Sequence, residues 1–111
     1  MNILGFIPAR KGSQGIRGKN LKKLNGKPLI YYTLKTLSKL KTNSNIFSFI
    51  STNDQKLKRY CESQGFKINY SRPHKLSSSK SNIVDTALHG LKWFENFKNV
   101  KIDAILLLQP T

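Results

Sequence analysis

A chain of 111 residues can bury one hydrophobic core and rarely two, so the expectation is one domain or part of one. Twenty Lys and Arg stand against five Asp and Glu, a formal charge of +15, which favours an anionic partner without choosing among nucleotide, nucleic acid and membrane surface. No run reaches the roughly 20 apolar residues of a membrane span, Ile3 to Ala9 is shorter than a signal core with its flanks, and the single Cys61 excludes an internal disulfide framework, so a cytoplasmic setting is expected.

In chain order, "NILGFIPA" reads as a first strand. Pro28 can open a helix at N1, with Ile30, Leu34, Leu37 and Lys41 on one face. "IFSFIST", Ile46 to Thr52, reads as a second strand. Thr52 or Asn53 can cap the next helix, Leu57, Tyr60, Cys61 and Gln64 form its inner stripe, and Gly65 stops it. "FKINYSR" fits a weaker, shorter strand. Ser81 or Asn82 can cap a third helix whose Val84, Ala87, Leu88 and Leu91 face inward, with Trp93 or Phe94 at its edge. "DAILLLQPT" is the last strand.

The strands are apolar on successive residues, as parallel strands covered on both faces are. The order βαβαβαβ then predicts an α/β fold with a mostly parallel sheet, ending after its fourth strand without the helix that would cover it. Loops after parallel strands gather at one sheet edge, where ligands of open α/β sheets bind. That edge would collect the Ala9 to Lys27 loop, Ser51 to Asp54, Ser71 to Asn82, and Gln109 to Thr111.

The first loop carries Arg10, Lys11, Arg17, Lys19, Lys22, Lys23 and Lys27 and no carboxylate, interspersed with Gly12, Gly15, Gly18 and Gly26. Glycines let several backbone N–H groups approach one anion, and the cations add charge-assisted bonds to phosphate oxygens. The Walker A spacing is absent, since Gly12 and Gly18 are too far apart and Asn20 follows Lys19 where a hydroxyl residue belongs; nor do the glycines form GxGxxG. His74 and His89 lack the clustered partners of a metal site. The serines, Ser13 included, lack a His and Asp constellation. Asp54 is the acid expected near the ligand edge, since Glu62, Asp85 and Glu95 fall on helices and Asp103 begins the last strand.

"IPARKGSQGIRGKNLKKLNGKPLIYYTL" resembles the opening signature of the acylneuraminate cytidylyltransferases, which usually reads close to IPARxGSKGIPxKNLxxLxGKPLI. "FISTND", Arg72 and Pro73, "TALHGL" and "LLLQPT" follow in the family's order. The resemblance implies a Rossmann-like nucleotide-diphospho-sugar transferase fold. It makes residues 1–111 the N-terminal, nucleotide-binding part of a single domain. It also implies CTP and a sialic-acid-like nonulosonate as substrates, CMP-sugar and pyrophosphate as products, magnesium as cofactor and a homodimer. In that reading Arg10 and Lys19 are catalytic contacts to the triphosphate, Asn20 holds the nucleotide near ribose and phosphates, Arg72 approaches the cytosine, and Gln109 faces the sugar acid. Ala9, Ser13 and Gln14 complete the substrate-binding set. No metal ligand is assigned in these residues, the magnesium being expected with CTP and carboxylates after residue 111.

The chain departs from the pattern at Gln14, where lysine is usual, at Arg17 for proline, at Asn53 for an acid, and at Ser79 and Lys80 for an Asp-Thr pair. A related reading is a 3-deoxy-octulosonate cytidylyltransferase, whose loop usually ends Lys-Pro-Leu; Lys19-Asn20-Leu21 favours the nonulosonate. An inactive CTP-binding fragment is a third reading. A nucleic-acid-binding module is the fourth, disfavoured because the aromatics follow helix and strand patterns rather than forming a stacking platform.

Overall fold

The computed structural model describes residues 1–9, 22–41, 45–70, 72 and 82–109. Strands β1 (Ile3–Pro8), β4 (Ile46–Ser51) and β5 (Ala104–Leu107) form a parallel sheet in the order β4-β1-β5. The α/β class and the parallel sheet are as expected. In register, Ile3 pairs with Ile46 and with Ala104, and Phe6 with Phe49 and with Leu107. Asn2 fastens the start of the sheet: its N–H donates to Asp103 Oδ2 at 2.8 Å and its Nδ2 to the Lys101 carbonyl at 2.9 Å.

Side chains of β1 alternate between two cores. Ile7 and Ala9 meet α1 (Leu29–Leu40) and α2 (Gln55–Ser63) through Ile30, Leu34, Leu37, Leu57 and Cys61. Leu4 and Phe6 meet α3 (Ile83–Lys98) on the other face, with Phe49, Tyr70, Phe94 and Ile102. Each fully buried Leu, Ile or Phe contributes about 1.5–3 kcal/mol, so the two cores hold the sheet from both sides. The chain leaves β1 toward β4 and returns to β5 on its other side, so the strand order reverses about β1.

Four local expectations are corrected. Residues 66–70 take no part in the ladder: Ile68 enters the α1/α2 core and Tyr70 the α3 core, so alternate side chains do not share a face as strand residues must. Within the presumed loop, Lys23–Leu24 (β2) and Lys27–Pro28 (β3) pair as an antiparallel ribbon. Its turn is Asn25-Gly26, with φ of 52° and 80°, the positive pair that two-residue hairpins favour. Gly26 thus serves a turn, and Pro28, paired in the ribbon, precedes the helix that begins at Leu29. Third, α2 is capped by Asp54, whose Oδ1 accepts from Lys56 N at 3.1 Å and Leu57 N at 3.4 Å.

Fourth, the buried stripe of α3 is Thr86, Gly90 and Phe94, spaced one turn apart; of the residues expected to face inward, Ala87 and Leu91 do pack against the core, while Val84 is 61% exposed and Leu88 48%. Rotation of the helix follows from Gly90. A Cβ there would stand 2.8 Å from Phe49 Cε1 and 3.0 Å from Phe6 Cε2, so the helix settles where a missing side chain lets the stacked Phe6 and Phe49 rings reach its backbone. Asn82 caps α3 as expected, its Oδ1 accepting from Asp85 N at 2.8 Å. Gly65, at φ 90°, closes α2 as expected.

Candidate functional site

The carboxyl ends of the three strands lie side by side. Ala9 N donates to the Ser51 carbonyl at 2.9 Å, and Leu108 N to the Phe6 carbonyl at 2.9 Å, so the ladder continues to the edge where the first loop departs. Arg10, Ser13, Gln14, Lys19 and Asn20 lie outside the described residues. Of the expected substrate-binding set, Ala9, Arg72 and Gln109 are described. Ala9 is buried where β1 gives way to the loop. Gln109 is exposed just after β5 and lines an open depression of about 390 Å³ with Leu29, Tyr32, Thr33, Thr36 and Leu107. That depression runs from the end of β5 to the first turns of α1, at the point where the strand order reverses.

The β2–β3 ribbon is fixed beside the same place. Tyr32 Oη donates to the Leu24 carbonyl at 2.6 Å, and Leu29 N to the Lys22 carbonyl at 3.0 Å. Lys22, Lys23 and Lys27 are thereby carried on ordered backbone at the return of the loop. An Asn-Gly pair flanked by Leu24 and Lys27 is a hairpin signal that the sequence offered.

Arg72 is buried, with 9% of its surface exposed. Its Nη2 donates to Thr86 Oγ1 at 3.2 Å, and Thr86 Oγ1 donates in turn to the Asn82 carbonyl, one helical turn back, at 3.1 Å. Two residues earlier, the Tyr70 hydroxyl lies 2.8 Å from His89 Nδ1, and its ring packs at 4.9 Å from Phe49 and 5.2 Å from Trp93. Burial pushes the Tyr70 phenol above its ordinary value, with the Arg72 charge acting in the opposite sense. The phenol therefore keeps its proton at neutral pH and donates it to Nδ1 when His89 carries its own on Nε2. His89 is a helix residue, as read from the sequence, and Thr86 is the polar residue of this cluster that periodicity did not single out.

Asp54, the acid expected at this edge, is occupied with the α2 N-terminus, and Thr52 Oγ1 accepts from its N–H at 3.0 Å. Among the described residues no three His, Cys, Asp or Glu come together as a metal-binding group. Burial, with a smaller push from the Glu62 charge, raises the Cys61 thiol to about 12, which keeps it an un-ionised core residue rather than a nucleophile.

A cytidylyltransferase family model matches residues 4–90, from β1 through the middle of α3, and the chain belongs to that family. CMP-N,N'-diacetyllegionaminic acid synthase of Legionella pneumophila is 33% identical over 111 residues, all of this chain and 47% of that protein. An 8-amino-3,8-dideoxy-manno-octulosonate cytidylyltransferase of a Shewanella species is 34% identical over 111 residues, all of this chain and 44% of its own length. N-acylneuraminate cytidylyltransferase of Escherichia coli is 29% identical over 109 residues, 98% of this chain and 24% of that protein. The structure of CMP:2-keto-3-deoxy-manno-octonic acid synthetase complexed with CTP superimposes with a TM-score of 0.68 at 22% identity, covering 99% of this chain and 40% of that one. The fold is therefore that of the nucleotidyltransferases. The chain spans less than half the length of these relatives. No helix among the described residues is long and apolar enough to cross a membrane.

Proposed function

We propose that this chain is the nucleotide-binding part of a cytidylyltransferase that joins CTP to a sialic-acid-like nonulosonate, releasing pyrophosphate. The family match across residues 4–90, laid on a parallel sheet from whose carboxyl edge the chain leaves β1 at Ala9, is the observation that carries it. In this reading Arg10 and Lys19 neutralise the triphosphate, and Ala9, Ser13, Gln14 and Asn20 contact the nucleotide from the same loop. Arg72 reads the base and Gln109 faces the sugar acid across the depression beside α1. Attack of the anomeric oxygen on the α-phosphorus breaks its bond to the pyrophosphate. Fixed cations lower that barrier by stabilising the charge on the leaving group, and positioning supplies the rest.

Magnesium, a homodimeric assembly and a cytoplasmic setting belong to the same proposal. The described residues do not make a carboxylate site for the ion, so no step is derived through it.

The relatives named for legionaminic and N-acylneuraminic acids support the nonulosonate, as does Lys19-Asn20-Leu21. The octulosonate relatives at 34% identity favour the second reading, an octulosonate cytidylyltransferase. Pyrophosphate release from the complete protein, measured with each of the four nucleoside triphosphates against a panel of eight- and nine-carbon sugar acids, separates the two. Turnover is expected with CTP and a nine-carbon acid. Lack of any CTP preference overturns the proposal, as does nucleic-acid binding that falls steeply with salt while free nucleotides leave the chain untouched.

A further inference from the structure

We propose that Thr86 is a positioning residue for Arg72, one of the contacts that orient its guanidinium for the base of the nucleotide. The inference rests on the reading above that Arg72 meets the cytosine. Thr86 is fully buried on α3, and its hydroxyl has one proton, given to the Asn82 carbonyl at 3.1 Å. That bond fixes the direction of the oxygen lone pairs, one of which receives Arg72 Nη2 at 3.2 Å. A guanidinium is a rigid planar fork, so holding one terminal nitrogen orients the remaining N–H groups.

The backbone leading into Arg72 is held as well. Tyr70 packs against Phe49 and Trp93, which also touch each other, and is tied at its hydroxyl to His89. Two successive turns of α3 thus reach the one segment, Thr86 at the side chain of Arg72 and His89 at Tyr70. Valine would fill the same space, and the bond to the Asn82 carbonyl serves a group that already accepts from Thr86 N. The distinguishing contribution of the hydroxyl is the acceptor it offers the guanidinium.

The test is titration of the 111-residue chain with CTP, UTP and inorganic tripolyphosphate, the last having phosphates and no base. Thr86→Val keeps the shape and removes the acceptor. It is expected to weaken CTP binding about tenfold, the loss of a hydrogen bond to a charged group, while tripolyphosphate binding stays within about twofold. Thr86→Ser, which keeps the hydroxyl, is expected to restore CTP binding. Arg72→Lys, which keeps charge and loses the fork, is expected to erase the preference for CTP over UTP, and it tests the same geometry should the valine variant fold poorly by circular dichroism. Unchanged CTP binding in Thr86→Val overturns the inference, as does an equal loss for CTP and tripolyphosphate, or a failure of serine to rescue. If the parent chain binds CTP no better than UTP, the cytidine reading itself falls and this inference with it. If Arg72→Lys matters and Thr86→Val does not, only the positioning role is lost.

Discussion

The two faces of the sheet are built from different chemistry. Toward α1 and α2 the core is aliphatic, Ile7, Ile30, Leu34, Leu37, Ile50 and Leu57, with Cys61 as a neutral thiol. Toward α3 it is aromatic, Phe6, Phe49, Tyr70 and Phe94, and polar groups run through it: Thr86, Arg72 and the Tyr70–His89 pair. Aliphatic packing is tolerant of shape and supplies stability, whereas flat rings and directed hydrogen bonds hold particular atoms in particular places. The first face is scaffold, and the second holds a buried cation, Arg72, against a helix hydroxyl.

The comparison breaks if truncation on the aliphatic side alters nucleotide choice. Leu57→Ala, at a fully buried position, should cost about 2–5 kcal/mol in urea unfolding while the folded fraction keeps the nucleotide selectivity of the parent. Next in size is Gly90→Ala. The added methyl meets two rigid rings, so a loss of about 1–3 kcal/mol is expected, even after the roughly 1 kcal/mol that alanine gains over glycine in a helix. A neutral or stabilising result would show that the aromatic face yields as readily as the aliphatic one.

Tyr70→Phe keeps the ring and removes the hydroxyl that meets His89, so thermal or urea unfolding should register a loss of about 0.5–1.5 kcal/mol. The last effect is absent at neutral pH and appears only in alkali. A thiol raised from 9.0 to about 12 in the folded chain stays protonated where the unfolded thiol ionises. Its contribution is therefore complete below about pH 9 and lost as pH climbs from there toward 12. Cys61→Ala should flatten the stability profile over that window, and Cys61 in the parent should resist alkylation at pH 9 until denaturant is added.

Much of the framework was legible. Successive apolar residues in "ILGFIP" and "IFSFIS" announced strands buried on both sides, and the Ile30, Leu34, Leu37 spacing named the inner face of α1. Asn82 and Gly65 marked helix ends by chemistry that acts within one turn. The face of α3 was legible only in part: Ala87 and Leu91 pack inward as their spacing says, but Val84 and Leu88 suit a core by hydropathy and are exposed, because the close approach at Gly90 depends on rings from β1 and β4. Residues 66–70 looked like a strand because Ile68 and Tyr70 alternate with polar residues, yet the two side chains go to opposite cores. The Asn25-Gly26 hairpin has its own signal, a positive-φ pair, inside a segment that otherwise reads as a cationic, glycine-rich loop.

Sequence by itself determined the family signature, the α/β order and the concentration of cations with glycine after β1, since each depends on residues close together in the chain. Tertiary structure alone decided that Asp54 serves a helix terminus, that α3 presents Thr86 and Gly90 to the sheet, and that Arg72 meets a hydroxyl fourteen positions away. Those outcomes depend on which surfaces pack together. Packing is a property of shapes brought from distant parts of the chain, which local propensity does not contain.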